Sequence, residues 1–150
     1  MHSRGLKLGI YQNYGMKTCM RYPGLIGYAD VDAQTFAEWG VDMVKLDACF
    51  TPVHSLDKGF QEFSQLLNKT GRHMVYSCSW PYYQLHTSDL VPNWNLIADN
   101  CNLWRLYHDI HSNWRDILQT IDFMGDNQEI FNRNVGPGRW NDPDMVCHHT

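Results

Sequence analysis

Charged and aromatic side chains stand where the apolar runs of this sequence end. Lys45 and Asp47 end one such run, Arg105 and Asp109 end or follow another, and Tyr11 ends the first. Residues two apart point to the same face of a strand, so the Lys45 ammonium would stabilise the Asp47 carboxylate. Carboxylates beside fixed cations can act as nucleophile, general acid or general base. The pattern therefore predicts a catalytic site.

Short apolar runs alternate with helical patterns, and these elements must position the polar side chains. Such alternation predicts right-handed β-α-β units, a parallel sheet and an α/β fold. Ligands bind at the carboxyl ends of the strands in such folds, which is where the polar residues gather. The predicted strands are 6–11, 41–47, 73–78 and 103–106; the predicted helices are 30–39, about 56–68, around 95–99 and about 114–123.

The composition excludes several other classes of protein. The 150 residues are 43% hydrophobic with a formal net charge of −4, which is typical of one soluble globular domain. The sequence has no basic stripe of the kind that binds nucleic acid. No apolar run approaches the roughly 18 residues of a membrane span. Neither a Rossmann nor a P-loop motif follows the first strand, and the histidines lack metal spacing. We therefore expect no metal and no cofactor.

Five widely spaced cysteines and one glycosylation sequon favour an exported protein. Asn68 begins the sequon at residues 68–70, and no cysteine lies in a C-x-x-C pair. Four cysteines could form two bridges in any of three connectivities, leaving one spare. The first residues lack the charged start and apolar core of a signal peptide, so we expect the chain to be truncated. The cysteines are Cys19, Cys49, Cys78, Cys101 and Cys147.

A series of motifs, in the same order along the chain, resembles family 27 of the glycoside hydrolases, the α-galactosidases and α-N-acetylgalactosaminidases. The resemblance implies a partial TIM (β/α)8 barrel holding about strands 3 to 6, with residues 1–150 an incomplete catalytic barrel domain. It also implies that the C-terminal β domain of full-length relatives is absent. The motifs are KLGIY (7–11), KTC (17–19), DAQTFA (32–37), KLDAC (45–49), YSCSWP (76–81), CNLWR (101–105) and GPGRWNDPDM (136–145).

The resemblance assigns catalytic roles to two aspartates. Asp47 would be the nucleophile and Asp109 the general acid/base of a retaining mechanism, which needs carboxyl groups only about 5 to 5.5 Å apart. It pairs Cys19 with Cys49 and Cys78 with Cys101. Asp142 and Asp144 share one turn and are assigned a structural role. The substrate-binding residues that it implies are Tyr11, Lys45, Cys49, Ser79, Tyr82, Tyr83 and Arg105.

The implied activity is hydrolysis of terminal α-linked N-acetylgalactosamine or galactose from glycolipids, glycoproteins and oligosaccharides. The resemblance also implies that full-length relatives are lysosomal or secreted homodimers that use no metal or cofactor. Ser79 and the Asn102–Leu103 pair favour α-N-acetylgalactosaminidase, whose members carry small residues at and three positions after Ser79. Tyr82 occupies the second of these positions and favours the alternative, α-galactosidase. We predict α-N-acetylgalactosaminidase, with α-galactosidase as the alternative.

The end of the sequence departs from the family. After Met145 the family continues with an apolar strand, whereas residues 146–150 read VCHHT, so we expect a truncated reading frame and an accidental Cys147. Four strands of an eight-stranded barrel would leave two unpaired edges. A second hypothesis is therefore an inactive fragment that aggregates or stays partly unfolded.

Overall fold

Parallel strands in chain order form the framework that carries the polar residues. The computed structural model describes residues 1–144, which contain one five-stranded sheet of order β1-β2-β3-β4-β5. Every neighbouring pair of strands is parallel, so the predicted α/β fold with a parallel sheet is confirmed. The elements are β1 Gly9–Asn13, α1 Ala29–Glu38, β2 Met43–Asp47, α2 Leu56–Lys69, β3 Val75–Cys78, α3 Trp80–Thr87, α4 Trp94–Asn100, β4 Leu103–Arg105, α5 Trp114–Asp126, α6 Gln128–Phe131 and β5 Trp140–Asp142.

Helices pack on one face of the sheet, and the core lies between them. Leu46 and Trp104 are fully buried on that face, and Tyr76 packs against the rings of Phe60 and Phe63 from α2. The two phenylalanines recur at helical spacing, and each contributes roughly 1.5 to 3 kcal/mol through burial. This packing fixes the strand positions and so the side chains at their carboxyl ends.

Glycines end the first two helices, as their sequences predict. Gly40 follows α1 with φ 73°, and Gly71 follows α2 with φ 74°. Both lie in the left-handed region, where a residue without Cβ carries little penalty. Within residues 1–144, no helix combines the length and apolar character needed to cross a bilayer.

Two strand predictions need correction. β1 begins at Gly9 rather than residue 6 and continues to Asn13, because Gly9 pairs with Met43 and Asn13 with Asp47 at the two ends of β2. β5 was not predicted, so the described sheet has five strands rather than four. Its three residues are too few to show a period, and only pairing with β4 defines it.

The α3 helix was likewise not predicted from the sequence. It spans Trp80–Thr87 directly after β3 and carries Pro81 near its start, where proline fits a helix. Its apolar residues form no clear stripe, which explains why periodicity did not predict it. This helix carries Tyr82 and Tyr83 to the carboxyl edge of the sheet.

Candidate active site

A cleft of about 760 Å³ lies at the carboxyl end of the sheet. Both predicted catalytic aspartates line it, together with every predicted substrate-binding residue except Ser79. This is the edge at which parallel α/β folds bind ligands. The lining residues are Tyr11, Thr18, Cys19, Met20, Tyr22, Lys45, Asp47, Cys49, Tyr82, Tyr83, Thr87, Arg105, His108, Asp109 and His111.

Asp47 is the last residue of β2 and its side chain is held on both oxygens. Oδ1 accepts hydrogen bonds from the Tyr83 hydroxyl at 2.7 Å and from the Ala48 backbone N–H at 2.9 Å. Oδ2 accepts one from the Tyr11 hydroxyl at 3.2 Å. The residue is only 7% exposed, so these donors replace water around the carboxylate.

The two tyrosines stay protonated beside this carboxylate. Burial, followed by the nearby negative charge of Asp47, raises the pKa of Tyr11. The same two causes, in the same order, raise the pKa of Tyr83. Both phenols are therefore fixed hydrogen-bond donors over the whole physiological range, and they orient the Asp47 carboxylate.

The first disulfide forms the wall beside Asp47. Cys19 is bonded to Cys49, the pairing that the family resemblance implies, and Cys19 Sγ lies 3.2 Å from Asp47 Oδ2. The three groups lie within 4.8 Å of one another, as ligands of a metal would. Both sulfurs are oxidised, however, so they offer no thiolate, and the cluster is a poor metal site.

Arg105, the last residue of β4, is the charged centre of the opposite wall. Its Nη2 lies 2.5 Å from Asp109 Oδ1, and its Nε lies 3.1 Å from Asp144 Oδ1. Nε also donates to the Tyr107 carbonyl at 2.8 Å, and the guanidinium lies 4.0 Å from the centre of the Tyr82 ring. The sequence alone does not indicate that Arg105 contacts two carboxylates.

The two candidate catalytic carboxylates have different environments. The Asp109 side chain is 58% exposed, whereas Asp47 is buried. Asp109 lies outside α5, which begins after Asn113, whose side chain accepts from the Asp116 N–H. Asp109 therefore projects from the loop after β4 into the cleft.

Lys45 pairs with a different carboxylate from the one expected. Its Nζ lies 3.8 Å from Asp144 Oδ1, and no ion pair within 4.0 Å joins it to Asp47 among the described residues. The Asp144 side chain is fully buried and also pairs with Arg105. Asp144 thus links a cation of β2 to a cation of β4 beneath the cleft. The turn that contains Asp142 and Asp144 does not by its sequence indicate this role.

The residues that favour the acetamido sugar lie away from the cleft surface. Ser79 is 0% exposed, and its hydroxyl has no hydrogen-bond partner within the described part of the chain. Asn102 precedes β4, at the opposite end of the strand, and bonds the Tyr76 N–H and the Gly138 carbonyl. Tyr82, in contrast, lines the cleft.

Other predicted features lie outside the cleft. Cys78 is bonded to Cys101, as the resemblance implies, and both are buried. Asn68 is exposed near the carboxyl end of α2. Cys147 lies outside the described residues.

Several residues that line the cleft were not predicted from the sequence. They lie in loops or on α3, where no periodic pattern marks them, although the position of His108 next to Asp109 was a usable signal. The Tyr82 hydroxyl bonds His108 Nδ1 at 3.0 Å. The missed residues are Thr18, Met20, Tyr22, Thr87, His108 and His111.

Known proteins resemble this chain over nearly all of its length. Residues 1–149 match the Melibiase_2 family model, described as α-galactosidase A. The chain is 48% identical over 147 residues to α-N-acetylgalactosaminidase of Gallus gallus, covering 97% of this chain and 36% of that protein. It is also 48% identical over 147 residues to α-galactosidase A of Homo sapiens, covering 97% and 34%.

A solved structure shows the same fold. α-Galactosidase I from Mortierella vinacea matches with a TM-score of 0.72 and 26% identity, over 96% of this chain and 40% of that one. The chain spans about a third of the length of the curated relatives it matches. Five parallel strands over that share are consistent with part of a TIM barrel, as predicted. By its family model and its relatives, the chain belongs to the Melibiase_2 family, the α-galactosidase-type glycoside hydrolases.

Proposed function

We propose that the protein is a retaining exo-glycosidase that removes a terminal α-linked galactose-type sugar. The observation that carries this proposal is the presence of Asp47 and Asp109 in one cleft, one buried among hydrogen-bond donors and the other exposed. A double displacement needs two carboxyl groups that face one sugar, one to attack the anomeric carbon and one to donate a proton to the leaving oxygen.

In the first step, the Asp47 carboxylate attacks the anomeric carbon while the bond to the leaving oxygen breaks. Asp109 donates its proton to that oxygen. In the second step Asp109, now a carboxylate, takes a proton from water, and the water oxygen displaces Asp47. The hydroxyls of Tyr11 and Tyr83 keep the Asp47 carboxylate aimed at the sugar.

Galactose is the sugar that the cleft geometry favours. Tyr82 forms part of the wall, held by its contact with Arg105 and its hydrogen bond to His108. A phenol at this position leaves less room for a 2-acetamido group. The second candidate is N-acetylgalactosamine, which Ser79 favours by sequence, and equal identity to relatives named for each activity does not discriminate.

Export is part of the same proposal. The two disulfides need an oxidising compartment, and exposed Asn68 is available for a glycan. We therefore infer a lysosomal or secreted protein that acts on glycoconjugates ending in α-galactosyl or α-N-acetylgalactosaminyl groups. The homodimer of full-length relatives remains a prediction, testable by sedimentation velocity.

Covalent labelling of the nucleophile tests the proposal directly. The chain is incubated with a mechanism-based epoxide of galactose configuration, and its peptides are analysed by mass spectrometry. We expect one added sugar mass on the peptide that contains Asp47. Asp47→Asn removes the label, because an amide is not a nucleophile. Asp99→Asn, at an exposed carboxylate outside the cleft, is the matched control and keeps it.

Hydrolysis of nitrophenyl α-galactoside and α-N-acetylgalactosaminide then identifies the sugar. We expect the galactoside to be the better substrate, and expect Tyr82→Ala to shift the ratio of kcat/KM towards the acetamido sugar. A wild-type preference for the acetamido sugar would overturn the choice of galactose. Absence of both label and hydrolysis would instead support the hypothesis of an inactive fragment.

A further inference from the structure

The disulfide between Cys19 and Cys49 lines the cleft but has no part in the proposed reaction. Both of its cysteines are half-buried, whereas Cys78 and Cys101 of the second disulfide are 1% and 2% exposed. A reducing thiolate must reach a sulfur atom in order to attack it, so access decides which bridge opens. A small reductant that enters the cleft should therefore open the first bridge and leave the second intact.

Reduction by a dithiol converts this bridge into two free thiols. One thiolate of the dithiol attacks a sulfur of the bridge, and its second thiolate then displaces that sulfur and closes the reductant into a cyclic disulfide. Two electrons and two protons pass to the protein, which leaves one thiol each at Cys19 and Cys49. When these thiols lose their protons they become soft metal ligands, which the bridged sulfurs are not.

A third ligand already lies beside the two sulfurs. Asp47 Oδ2 is 3.2 Å from Cys19 Sγ, and the ligand atoms of Cys19, Asp47 and Cys49 all lie within 4.8 Å of one another. Within residues 1–144, no other group of three potential ligands meets this condition. Zn²⁺ accepts both thiolate sulfur and carboxylate oxygen, and water from the cleft would complete four-coordination.

The two cysteines can reach metal-binding distances without a change of the backbone. Two thiolates on a tetrahedral zinc ion lie about 3.8 Å apart, because each Zn–S bond is about 2.3 Å long. The sulfurs of a bridge are only about 2 Å apart, so reduction must let them separate. The Cα atoms are 5.1 Å apart, and rotation about the two Cα–Cβ bonds supplies the separation.

Two phenols are placed to support the thiolates. The Tyr11 hydroxyl lies 3.1 Å from Cys19 Sγ, and the Tyr83 hydroxyl lies 3.3 Å from Cys49 Sγ. Burial, followed by the charge of Asp47, raises the pKa of both phenols, so they remain donors. Hydrogen bonds donated to a thiolate favour the charged form, and such partners of a ligand increase metal affinity.

We propose that Cys19, Asp47 and Cys49 form a Zn²⁺ site that exists only while their disulfide is reduced. Metal binding does not rest on the proposed function, because it involves no sugar. Its consequence does rest on that function. A zinc ion on Asp47 takes up the electron pair that would attack the anomeric carbon, so the zinc-bound form is inactive.

Zinc titration of the oxidised and the dithiol-reduced chain tests the site. Cys147→Ser is the starting protein, so that the thiols counted come from the two bridges. The dithiol is removed by gel filtration under argon, and calorimetry follows the addition of Zn²⁺. We expect one Zn²⁺ per reduced chain and no such binding by the oxidised chain. Cd²⁺ in place of Zn²⁺ should produce the ultraviolet absorption of cadmium–thiolate bonds.

Alkylation with iodoacetamide identifies the bridge that has opened. Mass spectrometry should find the label on Cys19 and Cys49 after reduction and no label on Cys78 and Cys101. Protection of the buried pair also shows that the reduced chain remains folded. Labelling of the buried pair at the same dithiol concentration would overturn the proposal, because the site needs the fold that brings its ligands together.

A pair of matched variants tests the carboxylate ligand. Asp47→Asn should weaken Zn²⁺ binding by the reduced chain more than roughly tenfold, because loss of a group that only hydrogen-bonds a ligand already costs about 10- to 100-fold. Asp109→Asn is the control for metal affinity, since Asp109 lines the same cleft but lies outside the cluster. Equal effects of the two variants, or equal Zn²⁺ binding by the oxidised and reduced chains, would overturn the proposal.

The epoxide label separates this proposal from the proposed function. Zn²⁺ should protect Asp47 from the label in the reduced chain and have no effect in the oxidised chain. Labelling of Asp47 in the presence of bound Zn²⁺ would overturn the inference that the metal occupies this carboxylate. If the reduced chain binds Zn²⁺ as expected but neither form takes the label without Zn²⁺, the proposed function fails and the metal site stands.

Discussion

Asp109 and Asp144 both pair with the Arg105 guanidinium. Because only one of them is buried, neutralising each should change the free energy of unfolding by very different amounts. Asp144→Asn and Asp109→Asn are the same isosteric change at two distances from solvent. The Asp144 side chain is 0% exposed and also faces Lys45, whereas the Asp109 side chain is 58% exposed. Each amide keeps an oxygen that can accept from Arg105, so each variant removes mainly a charge.

The expected magnitudes follow from the environment of each pair. Breaking a buried pair leaves an uncompensated charge and costs about 3 to 5 kcal/mol. We expect Asp144→Asn to lie near 3 kcal/mol, because Asp109 still faces Arg105 when Asp144 is neutral. An exposed pair contributes only about 0.2 to 1 kcal/mol, since water solvates both ions when they separate. Asp109→Asn should therefore change the free energy of unfolding by less than about 1 kcal/mol.

Urea unfolding, followed by tryptophan fluorescence with both disulfides intact, measures the two values. The urea midpoint should fall sharply for Asp144→Asn and hardly move for Asp109→Asn, with the same dependence on urea concentration in both. Equal losses would show that burial does not control this network. A gain in stability for Asp144→Asn would show that desolvation of the ions outweighs their attraction, which is the opposite of the expected result.

Two further predictions concern stability. A Cβ at Gly59 would lie 1.9 Å from the Tyr14 ring, so Gly59→Ala should lower the free energy of unfolding by about 1 to 3 kcal/mol. A Cβ at Gly125 would have no atom within 4 Å, so Gly125→Ala should raise the free energy of unfolding by up to about 1 kcal/mol. Equal shifts of the urea midpoint would contradict this. Burial lowers the pKa of His86 in the folded chain. As the pH falls from about 7 to 5, the unfolded chain therefore binds a proton at His86 more readily than the folded chain, and the free energy of unfolding should decrease. His86→Gln should reduce that fall in urea midpoint, and an unchanged fall would assign it to other groups.

Sequence periodicity predicted the elements that bury an apolar face. α2 is an example, because Phe60 and Phe63 form a stripe whose period is set by the helix itself. β5 and α3 could not be predicted in this way. The pairing partner β4 defines the three residues of β5, and contacts with the β4 region position α3.

The candidate site was predictable in its residues but not in its pairings. Strand ends and the motif resemblance indicated Asp47, Lys45 and Arg105, all of which line the cleft. The same-face rule then suggested that Lys45 would pair with Asp47. The rule gives the direction of side chains within one strand only. It carries no information about Asp144, which lies about 100 residues further along the chain and is brought to Lys45 by the sheet.

The pairings divide the charges of the cleft into two groups with different tasks. Asp144 is held with Lys45 and Arg105 beneath the surface, so its charge is neutralised before any ligand arrives. Asp47 instead receives neutral phenols from Tyr11 and Tyr83, which orient it without cancelling its charge. A nucleophile needs an available electron pair. Neutral donors such as the two tyrosine hydroxyls can shift to a sugar hydroxyl and leave the electron pair of the carboxylate available. The buried cations are thus better suited to holding the walls in place, and the tyrosines to orienting the carboxylate that we propose as the nucleophile.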